Sequence, residues 1–316
     1  MAMKRQKRNP LLEFHRPKPS VNAAAQIPVL TEDSKRCVDW KPWIEGGTLK
    51  ESNGRCLRNL GAYRTPKQRL AYPRSRMAGD LYVLLSRRSA SLRTYAGDTS
   101  LPGGRVDPED KSIEDTARRE AFEEIGLPRD NLKVPLLCVL EPFLAAELIV
   151  TPVVVLILDK TLTPLLNQAE VASLFSHPLA SFLTTTSPFP SEPEAEEGPY
   201  HTSYDYDSAG PFADKQVFRV HRFLTGREAG GVKPVFGLTA AMLIRTATIG
   251  YGRQPEFEVY SLNAPTMEQR MAWALLNRKV FWEACEKEGI DLSLARKIAG
   301  ATRMRDTSKN GRSWLR

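Results

Sequence analysis

Three glutamates, Glu120, Glu123 and Glu124, are the residues whose type and spacing could do chemistry. They close the stretch Leu101 to Leu127, LPGGRVDPEDKSIEDTARREAFEEIGL. At i, i+3 and i+4 they fall on one face of a helix. Like charges repel there, and a helix C-terminus already disfavours anions, each effect costing a few tenths to about 1 kcal/mol when exposed. A bound cation would remove both penalties. Mg²⁺, or Mn²⁺ in its place, suits such a set, because it takes a few carboxylates together with water and substrate phosphates. The ion would neutralise a diphosphate and activate a water. Three glutamates alone more often make a solvated acidic face. Here Arg119 adjoins them and a Gly-Gly turn precedes them.

The elements that must position this face follow from pattern. Ser112 with Asp115 three residues on resembles a capping box, and Gly126 with Pro128 marks a stop, so a helix is expected over 113–125. Ile113, Ala117, Ala121 and Ile125 would form its packed side. Strands are expected at Leu81 to Leu85, Pro135 to Leu140, Leu148 to Leu158 and Val217 to Leu224. Glu170 to Phe182 reads as helical or loop-like. The acidic, Pro/Gly/Tyr-rich 187–214 reads as a mobile surface insertion. Leu238 to Ile249 is an apolar helix suited to packing on the sheet, and Met267 to Glu288 has partly helical spacing.

Charge and composition narrow the class. The net charge of +8 comes from the ends: 17 Lys/Arg face 6 Asp/Glu within 1–79, and 11 face 6 within 266–316, leaving a net acidic middle. Solvated basic tails are the plainer reading, and a nucleic-acid footprint the less favoured one. No apolar run approaches the roughly 20 residues of a membrane span, so no membrane partner is expected. The four cysteines, Cys37, Cys56, Cys138 and Cys285, lack zinc-site spacing. With no signal-peptide core at the start, an intracellular, cytoplasmic protein is expected. A mitochondrial or peroxisomal address stays open, although the C-terminus does not read S-K-L. The expected organisation is a basic, largely disordered extension over 1–71, a domain over 72–262 and a helical basic extension over 263–316. The oligomeric state is open.

Arg119-Glu120-Ala-Phe-Glu123-Glu124-Ile-Gly126-Leu127 resembles the second half of the Nudix box, REUxEExGU with U apolar. Upstream, Gly104 lies 15 residues before Arg119 rather than 14, and Asp110 replaces the customary glutamate. A one-residue insertion with Asp resembles the coenzyme A diphosphatase branch. Leu84 to Gly104, LLSRRSASLRTYAGDTSLPGG, is similar to that branch's signature at Arg88, Ser89, Arg93, Gly97, Leu101, Pro102, Gly103 and Gly104. The wider likeness, to fungal members in particular, runs from about Tyr72 to Val259 and includes Val235-Phe-Gly-Leu-Thr-Ala240.

The resemblance implies an α+β fold, a Nudix-like α/β/α sandwich with a mixed sheet. It also implies a Mg²⁺-dependent pyrophosphatase, a hydrolase of phosphorus-containing anhydrides cutting coenzyme A to 3′,5′-ADP and 4′-phosphopantetheine. Glu120, Glu123 and Glu124 match metal ligands, and Arg119 would hold a glutamate by a salt bridge. Glu120 and Glu170 are the alternative general bases. Arg88, Arg93, Gly103 and Gly104 would meet the substrate, arginine being suited to forked phosphate contacts. A hydrolase of damaged nucleotides or mRNA caps, and an impaired nucleic-acid-binding protein, are the other readings. Such a domain normally has another strand before Leu81. No apolar run of five residues supplies it, so the sheet is expected to be one N-terminal strand short.

Overall fold

The structure, a computed structural model, describes residues 26–27, 29–30, 81–145, 147–157, 162–189, 198–208, 216–228, 231–262 and 264–299. Apart from 26–27 and 29–30, the expected 1–71 extension lies outside these residues, as do 190–197 and 209–215 of the expected insertion and everything after 299.

The chain is α+β. Four strands precede the first described helix: β1 (Gln26–Ile27), β2 (Val29–Leu30), β3 (Tyr82–Arg88) and β4 (Thr99–Ser100). Helix α1 (Ile113–Ile125) follows, then β5 (Leu136–Val139), β6 (Phe143–Ala145), β7 (Leu148–Val150), β8 (Val153–Val155) and β9 (Val171–Pro178). A 3₁₀ turn (Leu179–Leu183) leads towards β10 (His201–Ser208), β11 (Gln216–Phe223), β12 (Val235–Phe236) and α2 (Gly237–Tyr251). Helices α3 (Met267–Asn277) and α4 (Lys279–Glu288) complete the named elements.

Strand β3 organises the fold. Antiparallel β9 lies along it from Tyr82↔Pro178 to Arg88↔Val171, while β1, parallel at Gln26↔Tyr82, and β4, antiparallel at Ser86↔Ser100, share the opposite edge. Successive side chains of a strand point to opposite faces, and here both faces are buried. Val83 and Leu85 join the larger core with Ala240, Leu243 and Ala247 of α2. Leu84 joins a second core with Ala117, Ala121 and Ile125 of α1. Strand β8 divides its valines the same way, Val154 to the first core and Val153 and Val155 to the second. The two helices thus cover opposite faces.

Several expectations need correction. Where no N-terminal strand was expected, two short ones pair with the sheets: β1 with β3 at Gln26↔Tyr82 and β2 with β8 at Val29↔Val154, two residues each. The run Leu148 to Leu158 is two strands, because Pro152 has no N–H to continue a ladder. Glu170 to Phe182 is mainly strand, its backbone groups satisfied by β3. Of the expected mobile insertion, 201–208 is β10, paired over eight rungs with β11 and tied by the Asp205–Arg219 ion pair. The Met267 to Glu288 segment breaks at extended Arg278 into α3 and α4. Both pack with Leu144 and Ile149 of the β6–β7 hairpin.

Candidate active site

Helix α1 carries the glutamates, and local chemistry sets its ends where the sequence indicated. Ser112 Oγ accepts from the Asp115 amide at 3.1 Å, satisfying a free donor of the first turn. At the other end Gly126 adopts φ +69°, and Gly126 and Leu127 donate back to Phe122 and Ala121. A Cβ on Gly126 would lie 2.9 Å from the Leu165 amide nitrogen, so glycine also admits the crossing chain. That chain is pinned to the helix end: Leu165 donates to the Ile125 carbonyl at 3.0 Å and Asn167 to that of Glu124 at 2.9 Å. Three residues later it delivers Glu170, whose carboxylate accepts from the Asn167 side chain at 3.1 Å.

Arg119 is the hub of the polar network. Its Nε and Nη2 hold Asp110 in a fork at 3.0 and 2.8 Å. Its Nη1 reaches Glu120 at 2.7 Å and Glu123 at 3.4 Å, and Nη2 also donates to the Arg105 carbonyl at 2.7 Å. Asp110 accepts further from Thr116 and the Asp107 amide. These donors, led by Arg119, hold its carboxyl down to about 2. The aspartate that departs from the customary glutamate is therefore the anchor of the arginine. Glycine at 104 leaves room for the network: a Cβ there would lie 2.4 Å from the Glu120 carboxylate.

The carboxylates differ in setting. Glu124 is 6% exposed, and burial, then the charges of Glu170 and Glu120, push its carboxyl up to about 8. The Gly103 amide donates to it, and this bond and the Arg88 charge oppose the rise. Glu120 is also raised, by burial first, with Glu123 and Glu170 adding to it against Arg119. Glu123 is half exposed and lies between Arg119 and Arg129. The structure thus brings Glu120, Glu124, Glu170, Arg88 and Gly103 into one electrostatic neighbourhood. A register shift between Arg87 and Arg88 in the β3–β9 pairing lies at this point, a usual device for re-aiming a side chain beside a site. Arg93 does not join the cluster: it is exposed on the 89–98 loop.

Among the described residues no three His, Cys, Asp or Glu side chains form a finished metal cage. Mg²⁺ does not require one, since one or two carboxylates with water and substrate oxygens complete its octahedron. The donor set, hard oxygens under mutual repulsion with Glu120 and Glu124 raised, fits that ion. Sequence reasoning missed Asn167, which carries no motif and is found only by following Glu170 back three residues.

Residues 69–190 match the NUDIX domain. Nudix hydrolase 15, mitochondrial, of Arabidopsis thaliana is 38% identical over 57% of this chain and 56% of its own length. Nudix hydrolase 22, chloroplastic, of the same plant is 38% identical over 57% of this chain and 53% of its own. The peroxisomal coenzyme A diphosphatase 1 of Saccharomyces cerevisiae is 39% identical over 33% of this chain and 38% of its own. The chain spans about half the length of the two plant relatives. No described helix is long and apolar enough to cross a membrane. The glutamate helix, the Gly-Gly turn and the strand that presents Arg88 all lie within residues 69–190, the stretch that matches the NUDIX domain.

Proposed function

We propose that this chain is a Mg²⁺-dependent diphosphatase, Mn²⁺ serving as the alternative ion, that hydrolyses coenzyme A or a derivative to 3′,5′-ADP and 4′-phosphopantetheine. One observation carries the reading. Glu124, from the glutamate motif, accepts from Gly103 and feels the charge of Arg88, both from the upstream Arg/Gly motif. Two motifs distinct in sequence meet at one carboxylate, and the upstream one resembles the coenzyme A branch. The name of the yeast relative, a coenzyme A diphosphatase, supports the same substrate.

The metal would supply charge neutralisation on the diphosphate and a more acidic water. Glu120 and Glu124 would hold it, with Glu123 at the solvent side. Arg119 fixes Glu120 through their 2.7 Å bond. Glu170 is the base in this reading: Glu120 is already committed to Arg119, whereas Glu170 is held only by a neutral amide. It takes the proton of the water as oxygen bonds to one phosphorus and the bridging P–O bond breaks. Arg88 would contact the diphosphate beside Glu124; Arg93, outside that cluster on the loop, would contact a phosphate farther along the substrate; and Gly103 and Gly104 let the backbone come close.

Purified protein is incubated with Mg²⁺ and coenzyme A derivatives, damaged nucleotides or capped RNA, and products are identified by mass. Release of 3′,5′-ADP, abolished in Glu124→Gln, is expected. Unchanged turnover in that variant removes the assigned site, and cleavage of capped RNA but not coenzyme A removes the substrate.

A further inference from the structure

The loop after β3, residues 89–98, carries Arg93 and Tyr95 in an unusual backbone. Tyr95 sits at φ +55°, a left-handed conformation rare for a bulky residue, and Gly97 follows at φ +73°. The Tyr95 ring is 71% exposed. A strained loop that points an arginine and an aromatic ring into solvent must be held by something other than its own packing. Part of the hold is local: the Arg88 amide donates to the Asp98 carbonyl at 2.9 Å and that of Asp98 to Tyr95 at 3.2 Å.

The rest comes from Lys233, far along the chain. Its ammonium donates to the Ala96 carbonyl at 2.9 Å and forms an ion pair with the Asp98 carboxylate. Its stem passes close to Gly97, 3.8 Å from where a Cβ would stand. Its own carbonyl accepts from the Thr99 hydroxyl at 2.5 Å, just where the loop enters β4. The lysine is delivered from a firm base. Glu228 closes the preceding turn by accepting from the Thr225 and Arg227 amides, at 2.8 and 2.9 Å, and Gly231 donates to the Glu228 carbonyl. On the other side buried Val235 joins β12.

We propose that Lys233 is a positioning residue that straps the 89–98 loop in its strained form, so that Arg93 and Tyr95 are presented ready-made to the phosphate and base of a nucleotide substrate. The proposal rests on the coenzyme A reading above. Lys233 touches none of the glutamates in the described contacts, so it acts on substrate capture and leaves the chemical step alone. A preordered loop binds without paying to order itself, and losing that advantage raises KM at nearly constant kcat.

The test pairs steady-state kinetics on coenzyme A with limited trypsin digestion of the full chain, following cleavage after Arg93 by mass. Pro234 follows Lys233, so replacing the lysine removes no ready trypsin site. Lys233→Met is expected to raise KM roughly three- to tenfold, as for loss of a charged pair with an added hydrogen bond, with kcat within about twofold. Cleavage after Arg93 is expected to accelerate by a similar factor. Asp98→Asn reproduces both changes, the double variant adds little, and Lys233→Arg restores part of each. An unaltered KM and an unaltered Arg93 cleavage rate overturn the strap, as does a fall confined to kcat. If Lys233→Met does not fold, Asp98→Asn carries the same decision. Wild-type protein inert towards coenzyme A refutes the substrate reading, and digestion then decides the strap on its own.

Discussion

Gly104→Ala isolates the seating of Glu120. The new Cβ would stand 2.4 Å from the Glu120 carboxylate, and ordinary contact begins near 3.4 Å, so the carboxylate must retreat by about 1 Å. It is not a loose side-chain end, because Arg119 holds it at 2.7 Å while also gripping Asp110. Retreat weakens a charge-assisted bond of about 1.5–3 kcal/mol, and a 1 Å displacement of a metal-holding or reacting group can cost about 100-fold in rate. The fold should survive, since the clash is with a side chain rather than with backbone. The expected outcome is a kcat for 3′,5′-ADP release lowered about 100-fold, with a thermal midpoint within a few degrees of wild type. Cleavage at the wild-type rate by a normally folded Gly104→Ala protein would show that the position of Glu120 does not matter to the reaction.

Asp110→Ala removes the anchor of Arg119 and the acceptor of the Asp107 amide, and leaves the Thr116 hydroxyl only its longer bond to the Ser112 carbonyl; urea unfolding should show a loss of about 2–4 kcal/mol, partly recovered in Asp110→Asn, and a loss under about 0.5 kcal/mol would contradict the hub role. Because the Asp110 carboxyl is lowered from 3.8 to about 2 in the fold, its contribution should be fully present above pH 3.8 and fade as pH falls through about 2. His201 gives a second pH signature. Its ring meets His221 at 2.9 Å, and His221 in turn donates to the Val259 carbonyl. Burial, and then His221, lowers His201 from 6.5 to about 4, so its neutral form stabilises the fold fully above pH 6.5, and that stabilisation is lost as pH falls through about 4. The slope of urea midpoint against pH over that window should flatten in His201→Gln; an unchanged slope would place the titration elsewhere.

What could be read in the sequence was what local chemistry decides. Helix α1 begins and ends where Ser112 and Gly126 indicate, because capping and a left-handed glycine act within a few residues. The site's glutamates and Arg88 were legible as motifs. Elements that depend on distant partners were not. In strand β9 Leu174 to His177 are buried in succession on both faces beside β3, so the strand lacks the alternation that marks a half-exposed one. Strands β1 and β2 are two residues each, too short for any period, and only their pairing with β3 and β8 defines them. Strand β10 was hidden among acidic and turn-forming residues that suggested a loop, while β11 across from it supplies its ladder. Lys233 has no neighbour in sequence that hints at its role, and its partners at 96 and 98 are legible only in three dimensions.

The pinning of residues 165–167 to the last turn of α1 has a consequence for ion choice. Glu120 and Glu124 ride on the helix, and Glu170 rides on a segment hydrogen-bonded to that helix through Leu165 and Asn167. The backbone span between the two sources of carboxylate is therefore a fixed gauge, with only side-chain rotation left to close it. A site of that kind adapts less readily to an ion that takes seven or eight oxygens than a supple loop does. Under the proposed reaction such a frame would favour the small octahedron of Mg²⁺ over the wider shell of Ca²⁺.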